Sequence, residues 1–306
     1  MSFELIEQLS LPGSETRPNE DSLAVLEAAA LVMDGATPLG PSLLPGPSDA
    51  LWIAQFGARR IAAHLRDGDG PRHALKHALA DAEKSFRGLA RAPVREKWQT
   101  PCASMMMAVE VGRAPPRMRG MRAGDTGAGS RASESRKGSK IEFLWFGDCA
   151  ALVGRDGEVR LIGEALESRK AEAERARHIA REKNISAASG INRPEIEPLL
   201  RAARNRINSG KNWLFSPDAR AASHVSRRTL AIEAGSFLLL ASDGFLALTT
   251  DYDAYDVTGL MAAARTKGLT ALMRELRAIE ESDRAGTRFS RFKKSDDATA
   301  VLLRVG

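Results

Sequence analysis

Ser22-Leu-Ala-Val-Leu-Glu-Ala-Ala-Ala-Leu-Val-Met-Asp-Gly35 contains two short apolar runs, Ser22–Glu27 and Ala29–Met33, with no room for a helix between them. Short runs of this composition predict β-strands, and two strands this close in sequence are placed to pair antiparallel. The second run stops abruptly at Asp34-Gly35. Both features, paired strands and an acidic strand end, recur outward along the chain.

Further strands are predicted at Leu5–Leu11, Ser104–Val111, Ile141–Phe146, Ala150–Gly154, Glu158–Ile162, Arg228–Ile232, Phe237–Ser242 and Ala298–Val305, and Arg155-Asp-Gly157 is a good hairpin turn. Helices are predicted over Asp49–Arg66 (with Ser48 or Asp49 as N-cap), Pro71–Ala90, Glu164–Lys183, Pro194–Asn208, Asp256–Lys267 and Leu269–Ser282. Strands that come in neighbouring pairs, instead of alternating singly with helices, argue for an α+β sandwich of antiparallel sheets flanked by helices. The 306 residues read as one domain.

The net charge of +6 suggests nucleic acid until it is located. Residues 113–140 alone carry +6, and residues 201–228 hold seven basic side chains against Asp218; the rest of the chain is net −6. The first segment is rich in Gly, Ser, Arg and Pro without apolar periodicity, so it is expected to be a disordered insertion at a hairpin tip. Aromatic content is 5%, too little to stack bases along a basic groove, and nucleic-acid binding is not expected. Two cysteines exclude a disulfide scaffold. No apolar run approaches the ~20 residues that span a bilayer, and Met-Ser-Phe-Glu is no secretory signal, so a cytoplasmic protein without a membrane partner is expected.

The acidic strand ends carry the chemistry. Asp34-Gly35, Asp243-Gly244 and Gly147-Asp148 follow apolar runs, while Glu20-Asp21 and Asp296-Asp297 precede them. One Asp-Gly after a strand is an ordinary turn, but turns do not require five apolar runs to meet acid. Carboxylates brought together repel unless a cation compensates, and an oxygen-rich cluster suits Mg²⁺, Mn²⁺ or Ca²⁺ better than zinc.

Arg17-Pro-Asn-Glu-Asp-Ser22, Met33-Asp-Gly35, Ala103-Ser-Met105, Phe146-Gly-Asp148, Ala241-Ser-Asp-Gly244 and Asp296-Asp-Ala-Thr299 resemble, in order and approximate spacing, the motifs of the protein phosphatase 2C (PPM-type) family. The resemblance implies helices on both outer faces of the sandwich, and hydrolysis of phosphoserine and phosphothreonine in proteins by a hydroxide bridging two Mg²⁺ or Mn²⁺ ions. It implies that Asp34 bridges the metals, that Asp21 and the Gly35 carbonyl hold one with Glu20 nearby through water, and that Asp243 and Asp296 hold the other. Asp148 matches a ligand of a third, weaker ion, and Arg17 matches the arginine that binds substrate phosphate. Residues 164–228 fall where the family carries its variable flap, from which Arg204 and Arg206 are expected to meet an acidic or phosphorylated substrate. Ala36-Thr37 departs from the family's further glycines, and Arg17 stands one residue closer to Glu20 than in the commoner form.

Rival readings are weaker. Cys149 to Arg155 is a literal C-x5-R string, but its intervening residues are strand-like and Asp148 disfavours a thiolate. His73 and His77 read as a solvated helix face, and His64, His178 and His224 offer no constellation. The Met105–Met107 run reads as strand core, and Gly124–Gly129 lacks the preceding strand of a phosphate loop. The alternative to an enzyme is a catalytically weak or inactive phosphatase-like scaffold that binds an acidic or phosphorylated partner through its basic segments. Oligomeric state is not readable from these residues.

Overall fold

The computed structural model describes residues 3–112, 138–166, 193–284, 288–289 and 294–306. Most of the predicted insertion, all but the first three residues of the Glu164–Lys183 helix, and Gly124–Gly129 lie outside the described residues. The strands are β1 (Phe3–Leu11), β2 (Asp21–Leu26), β3 (Ala29–Gly35), β4 (Ala103–Val111), β5 (Ser139–Phe146), β6 (Ala150–Arg155), β7 (Glu158–Ile162), β8 (Ser226–Ile232), β9 (Phe237–Ala241) and β10 (Ala298–Val305). The helices are α1 (Asp49–Arg66), α2 (Pro71–Leu89), α3 (Arg193–Arg204), α4 (Asp243–Thr250), α5 (Val257–Lys267) and α6 (Leu269–Ser282).

Two five-stranded antiparallel sheets form, one ordered β1-β10-β9-β6-β7 and the other β2-β3-β4-β5-β8. The central strands are buried on both faces, which is why they read as unbroken apolar runs. Along β3, Ala29, Leu31 and Met33 face α1 and α2, while Ala30 and Val32 face the other sheet. Along β10, Ala298, Ala300 and Leu302 pack under α4, α5 and α6, while Val301, Leu303 and Val305 enter the layer between the sheets. Met106 enters that layer and Met105 and Met107 face the helices, so the methionine run is strand core. The result is helices, sheet, sheet, helices, with three apolar layers between them.

One helix is unanticipated and two expectations are corrected. No helix is predicted over Asp243–Thr250, yet β9 runs directly into α4, whose residues Gly244 to Leu248 are all buried. A helix buried on every side has no amphipathic stripe to announce it. The helix expected over Pro194–Asn208 runs Arg193–Arg204 and gives way to turns through Asn208, whose side-chain amide donates to Ser216 Oγ (2.6 Å). The last residues of the expected insertion, Ser139 and Lys140, belong to β5, where Lys140 pairs with Val111 across the hairpin.

Candidate metal centre

Asp21 opens β2 and stands directly opposite Asp34 near the end of β3. On its other side Asp34 faces Ser104 of β4, and the Ser104 hydroxyl donates to Asp148 Oδ1 (2.6 Å) in the turn after β5. The second sheet contributes Asp243, in the first turn of α4, and Asp296, two residues before β10. The charges that act most strongly on Asp34 are those of Asp243, Asp21, Asp148 and Asp296. The acidic strand ends of both sheets therefore lie close enough to act on Asp34.

Neutral donors orient these carboxylates. Ser242 Oγ donates to Asp21 Oδ2 (2.8 Å) and accepts from the Thr299 amide (3.0 Å). Thr299 Oγ1 meets Ser10 Oγ (2.6 Å), which accepts from Asn19 Nδ2 (2.8 Å); Asn19 Oδ1 in turn accepts from the Asp21 amide (3.0 Å). That closed ring fixes Asp21 from three chain segments. Glu20 accepts from Thr37 Oγ1 (2.8 Å) and from Ser48, whose hydroxyl also caps α1 at Ala50 and Leu51. Asp297 has a different role: its carboxylate accepts from the amides of Gly13 (2.7 Å) and Glu20 (2.6 Å), tying two loops together.

The electrostatics suit a cation site. Burial, with Asp243 and its neighbours adding repulsion, drives the Asp34 carboxyl well above the usual carboxylate range. Burial likewise pushes Asp21 up to about 8, against the lowering effect of Thr299 and Ser242 and with Asp297 and Asp243 raising it further. Asp21 is 5% exposed and its Oδ1 has no hydrogen-bond partner, an orphan that a native site leaves for a reason. Gly35 and Gly244 permit the close approach: a Cβ on Gly35 would lie 2.5 Å from the Ala50 carbonyl oxygen and 2.6 Å from that of Glu20, and one on Gly244 would lie 2.0 Å from that of Asp297. An oxygen-only donor set of this charge fits hard divalent ions.

The basic residues divide. Arg17 is exposed and makes no hydrogen bond or ion pair among the described residues. Arg204 turns inward, donating to the carbonyls of Thr37 (2.9 Å) and Ala36 (3.3 Å) just beyond Asp34-Gly35. Arg206 is exposed. Cys149 is fully buried in the core, its thiol driven up by burial and then by Asp34 and Asp148, and Arg155 ends β6 in ion pairs with Asp156 and Glu233. The C-x5-R string is therefore a core strand. His224 stacks on Trp213 at 3.7 Å between ring centroids. The expectation that His64 stands alone is corrected: it gathers with Asp69 and His77, which the turn after α1 folds back beside it. Ser48 caps α1 as the sequence suggests, but sequence reading missed the carboxylate-orienting roles of Ser10, Thr37, Ser48, Ser104, Ser242 and Thr299, because hydroxyls carry no such signal until their partners are located.

No family model and no curated protein matches the sequence. Solved structures do match. Over all of this chain and 99% of the other, it is similar to the serine/threonine phosphatase PstP/Ppp of Mycobacterium tuberculosis (14% identity, TM-score 0.54). The catalytic domain of PstP in complex with 2 manganese ions is 15% identical over 100% of this chain and 99% of that one (TM-score 0.52). The PPM Ser-Thr phosphatase MsPP from Mycobacterium smegmatis is 16% identical over 99% of both (TM-score 0.52). This chain has the PPM phosphatase fold. In that fold's terms, the acidic strand ends lie on one edge of the sandwich, where β2–β3 and the β5–β6 turn meet the β9–α4 junction. No helix among the described residues is long and apolar enough to cross a membrane.

Proposed function

We propose that the chain is a metal-dependent protein serine/threonine phosphatase of the PPM type. The observation that carries the reading is the convergence of Asp21, Asp148, Asp243 and Asp296 on Asp34, with Asp21 Oδ1 left unpartnered. Asp34 would bridge two Mg²⁺ or Mn²⁺ ions; Asp21 and the Gly35 carbonyl would serve one, with Glu20 through water, and Asp243 and Asp296 the other. Asp148 would serve a third ion. When bound, such ions lower the pKa of water to supply a nucleophile near neutral pH and neutralise phosphate oxygens.

The chain's own residues prepare that chemistry. Ser242, Ser104, Thr37 and Ser48 fix the directions in which the carboxylates point, so no reorganisation is needed at the moment of reaction. Arg17, exposed beside Glu20-Asp21, would bind the equatorial phosphate oxygens through a planar fork that stays charged. Arg206 would meet the protein part of a phosphoprotein substrate. Arg204 would act there through the Ala36-Thr37 loop that it holds. Two free, buried cysteines suit a reducing, cytoplasmic setting.

Hydrolysis of p-nitrophenyl phosphate tests the reading. Activity should appear with Mn²⁺, vanish in EDTA and vanish in Asp243→Asn, while Cys149→Ser stays active. Full activity in EDTA, or loss in Cys149→Ser with Asp243→Asn unaffected, contradicts it.

A further inference from the structure

The α1–α2 corner holds a cluster that the acidic centre does not use. The chain leaves α1 at Arg66 and folds back, the Asp69 amide donating to the His64 carbonyl (3.0 Å), before Pro71 starts α2. This return sets the Asp69 carboxylate against both histidines: Oδ2 lies 2.7 Å from His77 Nδ1 and 3.6 Å from His64 Nδ1. All three ligand atoms lie within 4.8 Å of one another. Two ligands on a tetrahedral ion with bonds of ~2.0–2.1 Å sit roughly 3.4 Å apart, and the two observed separations straddle that value.

A second, independent feature points the same way. His64 Nε2 faces Asp81 Oδ2 at 2.8 Å, and Asp81 is itself held by Arg60 Nε (2.7 Å). A carboxylate on the far ring nitrogen is the usual outer partner of a metal-bound histidine: it fixes the proton on Nε2 and leaves the Nδ1 lone pair free. Here Nδ1 lies 3.6 Å from Asp69 Oδ2. Ala58 and Ile61 of α1 and Leu75, Ala78 and Ala82 of α2 are buried in one apolar cluster that joins the two helices.

We infer that His64, Asp69 and His77 form a second metal site, which takes one transition-metal ion of the zinc class and clips the α1–α2 hairpin. Two nitrogens and one carboxylate suit Zn²⁺ and its neighbours, whereas the acidic centre, all oxygen, suits Mg²⁺ and Mn²⁺. The sites lie toward opposite ends of α1. Ser48, which caps that helix, donates to Glu20; His64 stands sixteen residues later, about 24 Å along the axis. The inference does not depend on the proposed activity.

Equilibrium dialysis of the full chain against Zn²⁺ in excess Mg²⁺, which occupies the oxygen-rich centre, provides the test. Wild type should bind one more equivalent than His77→Ala, a half-exposed position where truncation should leave the circular dichroism spectrum unchanged. The extra equivalent should persist in Asp34→Asn. Asp81→Asn should weaken it about 10–100-fold, the usual effect of losing an outer partner. Zn²⁺ should raise the thermal midpoint of wild type and not of His77→Ala. Equal stoichiometry in wild type and His77→Ala, or an affinity untouched by Asp81→Asn, overturns the inference and leaves plain surface ion pairs.

Discussion

The acidic edge and the α1–α2 corner are built from the same residue classes to opposite ends. At the edge, carboxylates arrive from positions 20 to 296, the charges that act most strongly on Asp34 have the same sign, and the side-chain partners of Asp21, Glu20 and Asp148 among the described residues are hydroxyls. At the corner the ligands come from one helical hairpin, and each carboxylate already faces a histidine or arginine. At the edge, ionising the buried Asp21 and Asp34 is costly, whereas the corner is neutralised from within. Charge count alone therefore does not say which ion a cluster takes; donor type and the presence of internal counter-charge do.

The comparison is broken most severely by Asp34→Asn. Mn²⁺-dependent hydrolysis should fall more than ~100-fold, since even outer partners commonly cost ~10–100-fold, while zinc binding at the corner stays. Loss of both together would mean that the two regions are not independent.

The edge should also make stability depend on pH. Asp21, raised from 3.8 to about 8 in the fold, holds its proton more tightly folded than unfolded. Its contribution is therefore complete below about 3.8 and is lost as pH rises through about 8. Denaturant midpoints in EDTA should fall across that window, and saturating Mn²⁺ should flatten the slope by replacing the proton. A midpoint that rises with pH in EDTA would contradict the burial of an uncompensated carboxyl.

Smaller effects sharpen the contrast. Ser242→Ala removes one donor to Asp21 and should weaken Mn²⁺ activation about 10-fold, with kcat at saturating metal retained. Smallest of all, His77→Ala should change phosphatase activity by less than about two-fold, because an exposed position remote from the carboxylates alters neither their geometry nor their charge.

The central strands could be read from the sequence because doubly buried strands are continuous apolar runs, and the more exposed β1, β7 and β8 as short or alternating runs between turn residues. Helices α1 and α2 could be read because Ser48, Pro71 and apolar stripes mark them. The acidic residues were readable for a related reason: a charge that ends a buried strand has no other face to occupy. What escaped was non-local or featureless. α4 is buried on all sides and begins at an Asp-Gly that imitates a turn; Gly244 is required there by the approach of the Asp297 carbonyl, not by chain reversal. The Ser10–Asn19–Ser242–Thr299 ring joins residues up to 289 positions apart, which no local pattern announces. Asp297 had no role assigned from sequence; its hold on the amides of Gly13 and Glu20 is visible only in the structure. His64 and His77 stand thirteen residues apart and meet through the return between helices, so helical spacing alone paired His77 with His73 instead.

The most direct measurement is phosphate release from a phosphothreonine peptide by the purified chain with Mn²⁺, with EDTA, and in Asp243→Asn. The account predicts turnover in the first and none above background in the other two. Turnover that survives EDTA, or that Asp243→Asn leaves intact, would contradict a phosphatase built on the converging carboxylates.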